Sequence, residues 1–169
     1  HQSHAGALRD GGTGGRDLKN DRVGGITMLM GIEALARDPA TAVIVVVSKP
    51  PAPSVAKRVV AALKASGKPS VVLFLGLTEV TGTTTADAPR MARSLEEAAS
   101  LAGGLVHETD AAAARSHNHV VSEAELEAIV QRETRGLAPS QQYVRGYFTG
   151  GTVADEAMML LHRATGAVY

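Results

Sequence analysis

A chain of 169 residues suits one domain, or one domain with part of another, and its 44% apolar content is enough for a packed core. Lysine plus arginine equals aspartate plus glutamate at 17 each, which leaves no basic footprint for nucleic acid, and the absence of cysteine excludes disulfides and thiolate catalysis. Aromatics are only 3% and tryptophan is absent, so the core must be built from Val, Leu, Ile, Ala and Met, as suits helices packed on a parallel sheet.

In chain order, the first feature is a glycine-rich stretch, Gly11-Gly12-Thr13-Gly14-Gly15-Arg16-Asp17 through Gly24-Gly25, that feeds an amphipathic segment. Met28, Ile32 and Leu35 share one face at helical spacing, so Met28 to Ala36 is a predicted helix, ended by Arg37-Asp38-Pro39. Ala42 to Val47 is an unbroken apolar, β-branched run and reads as a fully buried strand. The loop Ser48-Lys49-Pro50-Pro51-Ala52-Pro53 follows, then a helix capped by Ser54 with Val55, Val59, Ala62 and Leu63 inward. Gly67 ends it, Pro69 opens a strand over Ser70 to Leu75, and strand–helix–strand at this spacing makes a parallel crossover.

Gly76 to Pro89 is polar and rich in small residues, with Thr78 to Thr85 at its centre, and reads as a long loop. A helix over Ser94 to Leu101 is capped by Ser94 with Glu97 three residues on, and Gly103-Gly104 closes it. Ala111 to Ala114 is helical by composition. Ser122 to Val130 is a helix with acidic residues in its first turn, and Gly136 to Gln142 is a linker. The opening pattern then returns as a strand over Tyr143 to Phe148, a turn Thr149-Gly150-Gly151-Thr152 and a helix over Val153 to Thr165. The expected organisation is a parallel-sheet domain over residues 1–138 and the start of a second α/β domain over 142–169. The chain starts without methionine, and Ala167 to Tyr169 reads as the opening of a further strand, so a fragment of a longer protein is expected.

The candidate site follows from where α/β proteins place ligands, beyond the carboxyl ends of parallel strands. Glycines let backbone amides approach an anion, and a helix start adds positive partial charge. Thr13, Gly14, Gly15, Arg16, Gly24, Gly25, Ser48, Lys49, Gly150, Gly151 and Thr152 are the candidate substrate- or phosphate-binding residues. The loop is neither a dinucleotide fingerprint nor a P-loop, because the required glycine spacing and Gly-Lys-Ser/Thr are absent. Thr152 has a purely structural alternative as a helix cap, and Asp155 and Glu156 suit a first helical turn. His117 and His119 lack a third ligand at a recognisable spacing, so no metal is expected, and His162 suits the last turn of its helix. The longest apolar run is far too short to span a bilayer and no signal peptide is visible, so no membrane partner and a cytoplasmic location are expected.

Five segments carry a family resemblance: Gly12 to Leu18, Val23 to Met30, Ala36 to Thr41, Val47 to Pro51 and Arg145 to Ala157. Together they resemble the FdrA family, acyl-CoA synthetase-like proteins related to the α subunit of succinyl-CoA synthetase. The resemblance runs over roughly Gly12 to Leu75 and Tyr143 to Leu161. It implies a flavodoxin-like parallel sheet flanked by helices. Succinyl-CoA synthetase relays phosphate through a histidine in a loop Arg-Met-Gly-His-Ala-Gly-Ala, paired with a glutamate. The similar stretch here is Arg90-Met91-Ala92-Arg93-Ser94-Leu95, which puts Arg93 at the histidine, while Lys49 falls at the glutamate. Two cations cannot run a phosphohistidine relay but suit an anion. The ligase's Ser-Gly-Thr-Leu helix start is comparable to Thr149 to Thr152.

The resemblance thus implies acyl or carbamoyl group transfer, oxamate carbamoyltransferase-like, without a phosphohistidine in this segment. Its partners would be a small anionic metabolite (carboxylate, phosphate or carbamoyl phosphate) and other protein subunits. The sequence leaves catalytic residues and cofactor unknown, with CoA or a nucleotide possible only by family analogy. The alternatives are a nucleotide-dependent acid–CoA ligase and a non-catalytic assembly subunit.

Overall fold

A computed structural model describes residues 18–19, 23–77, 87–109, 121–141 and 143–166. The expected helix Ala111 to Ala114, the pair His117 and His119, and Ala167 to Tyr169 lie outside them. The chain divides into two compact units, His1–Ala111 and Ala112–Tyr169.

The first unit is α/β. Its elements are α1 (Ile26–Arg37), β1 (Ile44–Ser48), α2 (Pro53–Ala65), β2 (Ser70–Phe74), β3 (Arg90–Met91) and α3 (Leu95–Thr109). The three strands form an open sheet in the order β1-β2-β3. β1 pairs parallel with β2, Ile44 opposite Ser70 and Ser48 opposite Phe74, and β2 pairs parallel with β3. The crossover read from the spacing is therefore present.

α1 forms because Met28, Ile32 and Leu35 line one face, and it stops where Asp38 leaves helical geometry ahead of Pro39. The Asp38 carboxylate then holds the turn, accepting from the Ala40 N–H at 3.1 Å and the Thr41 hydroxyl at 2.9 Å. Proline at the first position of α2 has no N–H to leave unsatisfied, so Ala52 rather than Ser54 is the cap residue, a correction to the sequence reading. α1 and α2 pack on one sheet face, where Ile32, Val55, Val59 and Leu63 close over Ile44, Val46, Val72 and Phe74. A fully buried side chain of this kind contributes about 1.5–3 kcal/mol. α3 covers the other face of β2, where Val71, Leu73, Ala98 and Leu105 are buried.

Two more expectations in this unit are corrected, and one element is added. β1 is not fully buried: Val45 and Val47 are exposed, because β1 is an edge of the sheet among the described residues. Arg90–Met91, to which the sequence reading gives no element, is a short strand, held by the Ala92 N–H on the Val72 carbonyl at 2.8 Å. Gly103-Gly104 does not close α3, which continues to Thr109. Burial of Leu105 outweighs the roughly 1 kcal/mol that a helical glycine costs.

The second unit holds α4 (Glu123–Thr134) and α5 (Gly151–Thr165), with no residue of either helix buried. Ser122 and Glu125 form a full capping box at α4. Tyr143 to Phe148 forms no strand, against expectation. No other strand is described in this unit to pair with it, and the Phe148 ring folds over Gly146, where a Cβ would sit 2.6 Å away. α5 begins at Gly151 with Gly150 as its cap residue and no side-chain cap, so Thr152 does not cap it. Asp155 and Glu156 fall beyond its first turn, while His162 is in its last turn as expected. No described helix is long and apolar enough to cross a membrane.

Candidate functional site

Parallel strands put their carboxyl ends on one rim, and helices that precede or follow them start there. β1 ends at Ser48 and β2 at Phe74 on the same rim, tied by the Leu75 N–H to the Ser48 carbonyl at 2.9 Å. α1 runs antiparallel to the strands and starts at this rim, because its far end meets Lys68 ahead of β2.

The rim is built around two glycines. Gly24 and Gly25 are buried and both left-handed, at φ 62° and 69°. A Cβ on Gly25 would meet Leu18 Cδ2 and Val55 Cγ1, each at 2.9 Å. Only glycine lets the start of α1 press this closely on the first turn of α2. The Ala52 N–H donates to the Leu18 carbonyl at 2.9 Å and ties the loop after β1 to the segment ahead of α1. Neither Gly25 at the start of α1 nor Ala52 at the start of α2 makes a side-chain cap hydrogen bond.

α3 differs. The Ser94 hydroxyl accepts from the Glu97 N–H at 3.0 Å, and the Glu97 carboxylate accepts from the Arg93 N–H at 2.7 Å. A carboxylate of the chain itself already occupies this third helix start.

The structure therefore gathers Gly24, Gly25, Ser48 and Lys49 at one rim. The Ser48 hydroxyl donates to the Lys49 carbonyl at 2.8 Å, which engages its proton within the loop. Lys49 lies after β1 and Arg93 after β3, two strand spacings or about 10 Å apart along the same rim. Thr13, Gly14, Gly15 and Arg16 lie outside the described residues. Gly150, Gly151 and Thr152 start α5 in the second unit.

The opposite, amino edge of the sheet carries a cleft of about 600 Å³ lined by Lys64, Lys68, Asp87, Arg90 and Leu105. Its most committed cation was missed in the sequence. The Lys68 ammonium donates to the Leu35 carbonyl at 3.0 Å, the Thr41 carbonyl at 2.7 Å and the Asp38 carbonyl. Helix carboxyl ends bring negative partial charge to this edge, which suits the Lys68 cation and disfavours an anion. No periodicity marks a lysine that caps a helix some 30 residues earlier in the chain.

The chain is 37% identical over 171 residues to the uncharacterized protein YahF of Escherichia coli (strain K12). The alignment covers 100% of this chain and 31% of that protein, so the chain spans about a third of the length of the relative it matches. No protein-family profile matches the chain.

Proposed function

We propose that this chain is part of an FdrA-type, acyl-CoA synthetase-like subunit, its sheet a portion of a flavodoxin-like domain. It binds a small anion at the carboxyl rim and takes part in acyl or carbamoyl group transfer without a phosphohistidine in this segment. The observation that carries the reading is the meeting of two helix starts without side-chain caps, α1 and α2, around Gly25. Backbone amides and two helix dipoles directed at one place favour a carboxylate or phosphate.

Lys49 and Arg93 add fixed positive charge along the same rim. Replacing a nucleophilic histidine and its carboxylate by this pair favours clamping an anion over carrying a phosphoryl group. Group transfer between small anions gains from positioning and from stabilising developing negative charge. Other subunits and a cytoplasmic setting belong to the same proposal.

Isothermal titration with carbamoyl phosphate, oxamate, CoA and ADP tests it. Binding of carbamoyl phosphate or oxamate is expected, weakened roughly tenfold or more by Lys49→Ala, the loss of one charge-assisted contact. Binding of none of the four favours an assembly role and rejects the proposal. Phosphate incorporation from labelled nucleotide into a histidine of the chain would instead establish the acid–CoA ligase reading.

A further inference from the structure

α5 carries an apolar seam on a face that the described residues leave open. None of its residues is buried, and Val153 and Leu160 are 50% and 53% exposed. Val153, Ala157, Leu160 and Ala164 recur at steps of four, three and four residues. That spacing lines them up along the helix, with Val153 and Leu160 at the d positions of a heptad and Ala157 and Ala164 at the a positions. Such a line is the side of a helix that packs against another helix.

The residues beside the seam say what it meets. Glu156 and Arg163 both fall at g and form one flank; Ala154 and Leu161 fall at e and form the other. The acidic member of the charged flank lies in the first half of α5 and the basic member in its last turn. A two-fold axis perpendicular to the helix turns each flank onto itself with its direction reversed. Glu156 then faces Arg163 of a second copy, and the reciprocal pair forms at the other end. The same register sets Leu160 level with Ala157 of the second copy and Val153 level with Ala164. Every layer so formed joins one large and one small side chain. A parallel pair would instead stack Val153 on Val153 and Ala157 on Ala157, and would leave Glu156 beside the apolar Leu161.

We propose that α5 is a docking surface for a second copy of this chain, the two helices pairing antiparallel about a two-fold axis with a Glu156–Arg163 bridge at each end of the charged flank. The 15 residues of α5 span about 22 Å. A contact of that length is at the small end for a stable interface, so the pair forms and separates with concentration.

The test follows the mass of the natural polypeptide by sedimentation over a roughly hundredfold range of concentration. A shift from monomer to dimer is expected. Glu156→Arg sets arginine against arginine across the axis, and Arg163→Glu sets glutamate against glutamate. Each alone is expected to weaken dimerisation roughly tenfold. Mixed in equal amounts, the two variants are expected to regain a dimer as strong as the unaltered one, because every arginine of one copy then faces a glutamate of the other. That recovery also shows that both variants are folded. A monomer at every concentration overturns the proposal. So does a dimer that neither variant weakens, which would lie on another surface, or a loss in the single variants that mixing does not restore.

Discussion

Gly25 is where a single residue most constrains this molecule. Its φ of 69° is one that L side chains avoid, and a Cβ would sit 2.9 Å from both Leu18 and Val55. The two effects add, because relaxing the contact requires moving the start of α1 away from α2. Gly25→Ala is expected to destabilise the first unit by about 1–3 kcal/mol, read from the midpoint of denaturant unfolding. Gly150 is the contrast: it caps α5 in extended geometry, and a methyl group there would meet nothing within 4 Å. Gly150→Ala should shift the midpoint by no more than about 0.5 kcal/mol. Both glycines look alike in the sequence, since each precedes a helix. What separates them is a side chain from another helix, which no local pattern records.

Individual elements were readable wherever short-range chemistry decides. The spacing of Met28, Ile32 and Leu35 located α1, and the acidic first turn after Ser122 located α4, where Ser122 and Glu125 form the cap. The second case makes a pH prediction. The Ser122 backbone N–H and then its hydroxyl, both donating to the Glu125 carboxylate, hold that carboxyl below its ordinary value. A lowered folded pKa favours the ionised form. The capping contribution is therefore present above the ordinary carboxylate range and lost as pH falls through the lowered value. The Ser122 amide resonance should titrate with a midpoint below that of an unperturbed glutamate, and Glu125→Gln should abolish that titration. A midpoint at the ordinary value would show that the box does not hold in solution. Elements were misread where packing or pairing decides. Gly103-Gly104 lies inside α3 because Leu105 has a sheet to bury against. Tyr143 to Phe148 reads as a strand ahead of a glycine turn and a helix, yet the second unit describes no neighbour to complete a ladder.

At the scale of the whole first unit, the two edges of the sheet carry opposite electrostatics. The carboxyl rim collects helix starts, and the amino edge collects helix ends. Lys68 secures the second of these by bridging three carbonyls from the end of α1 and the turn into β1. Lys68→Met keeps the aliphatic stem and leaves those carbonyls without their donor. It is expected to cost about 1.5–3 kcal/mol, measured by urea unfolding. A shift near zero would mean that water replaces the ammonium. The same polarity underlies the proposed anion site, because an anion is stabilised only where helix starts gather. Sequence reading placed Gly24, Gly25, Ser48 and Lys49 in loops at one sheet edge, and the packing of the start of α1 against Val55 of α2 brings the glycines to the rim where β1 ends.

By itself the sequence determined the existence and order of α1, β1, α2, β2 and α4, and the parallel sense of the first strand pair. Periodicity, turn residues and caps act over a few residues, so they leave a local record. Only the tertiary structure decided that β1 is an edge among the described residues, that Arg90–Met91 is a strand, that Gly25 admits no side chain and that Lys68 closes the far end of α1. Each of these depends on a group distant along the chain arriving at contact distance. Such arrivals are set by how whole elements stack to bury their apolar faces.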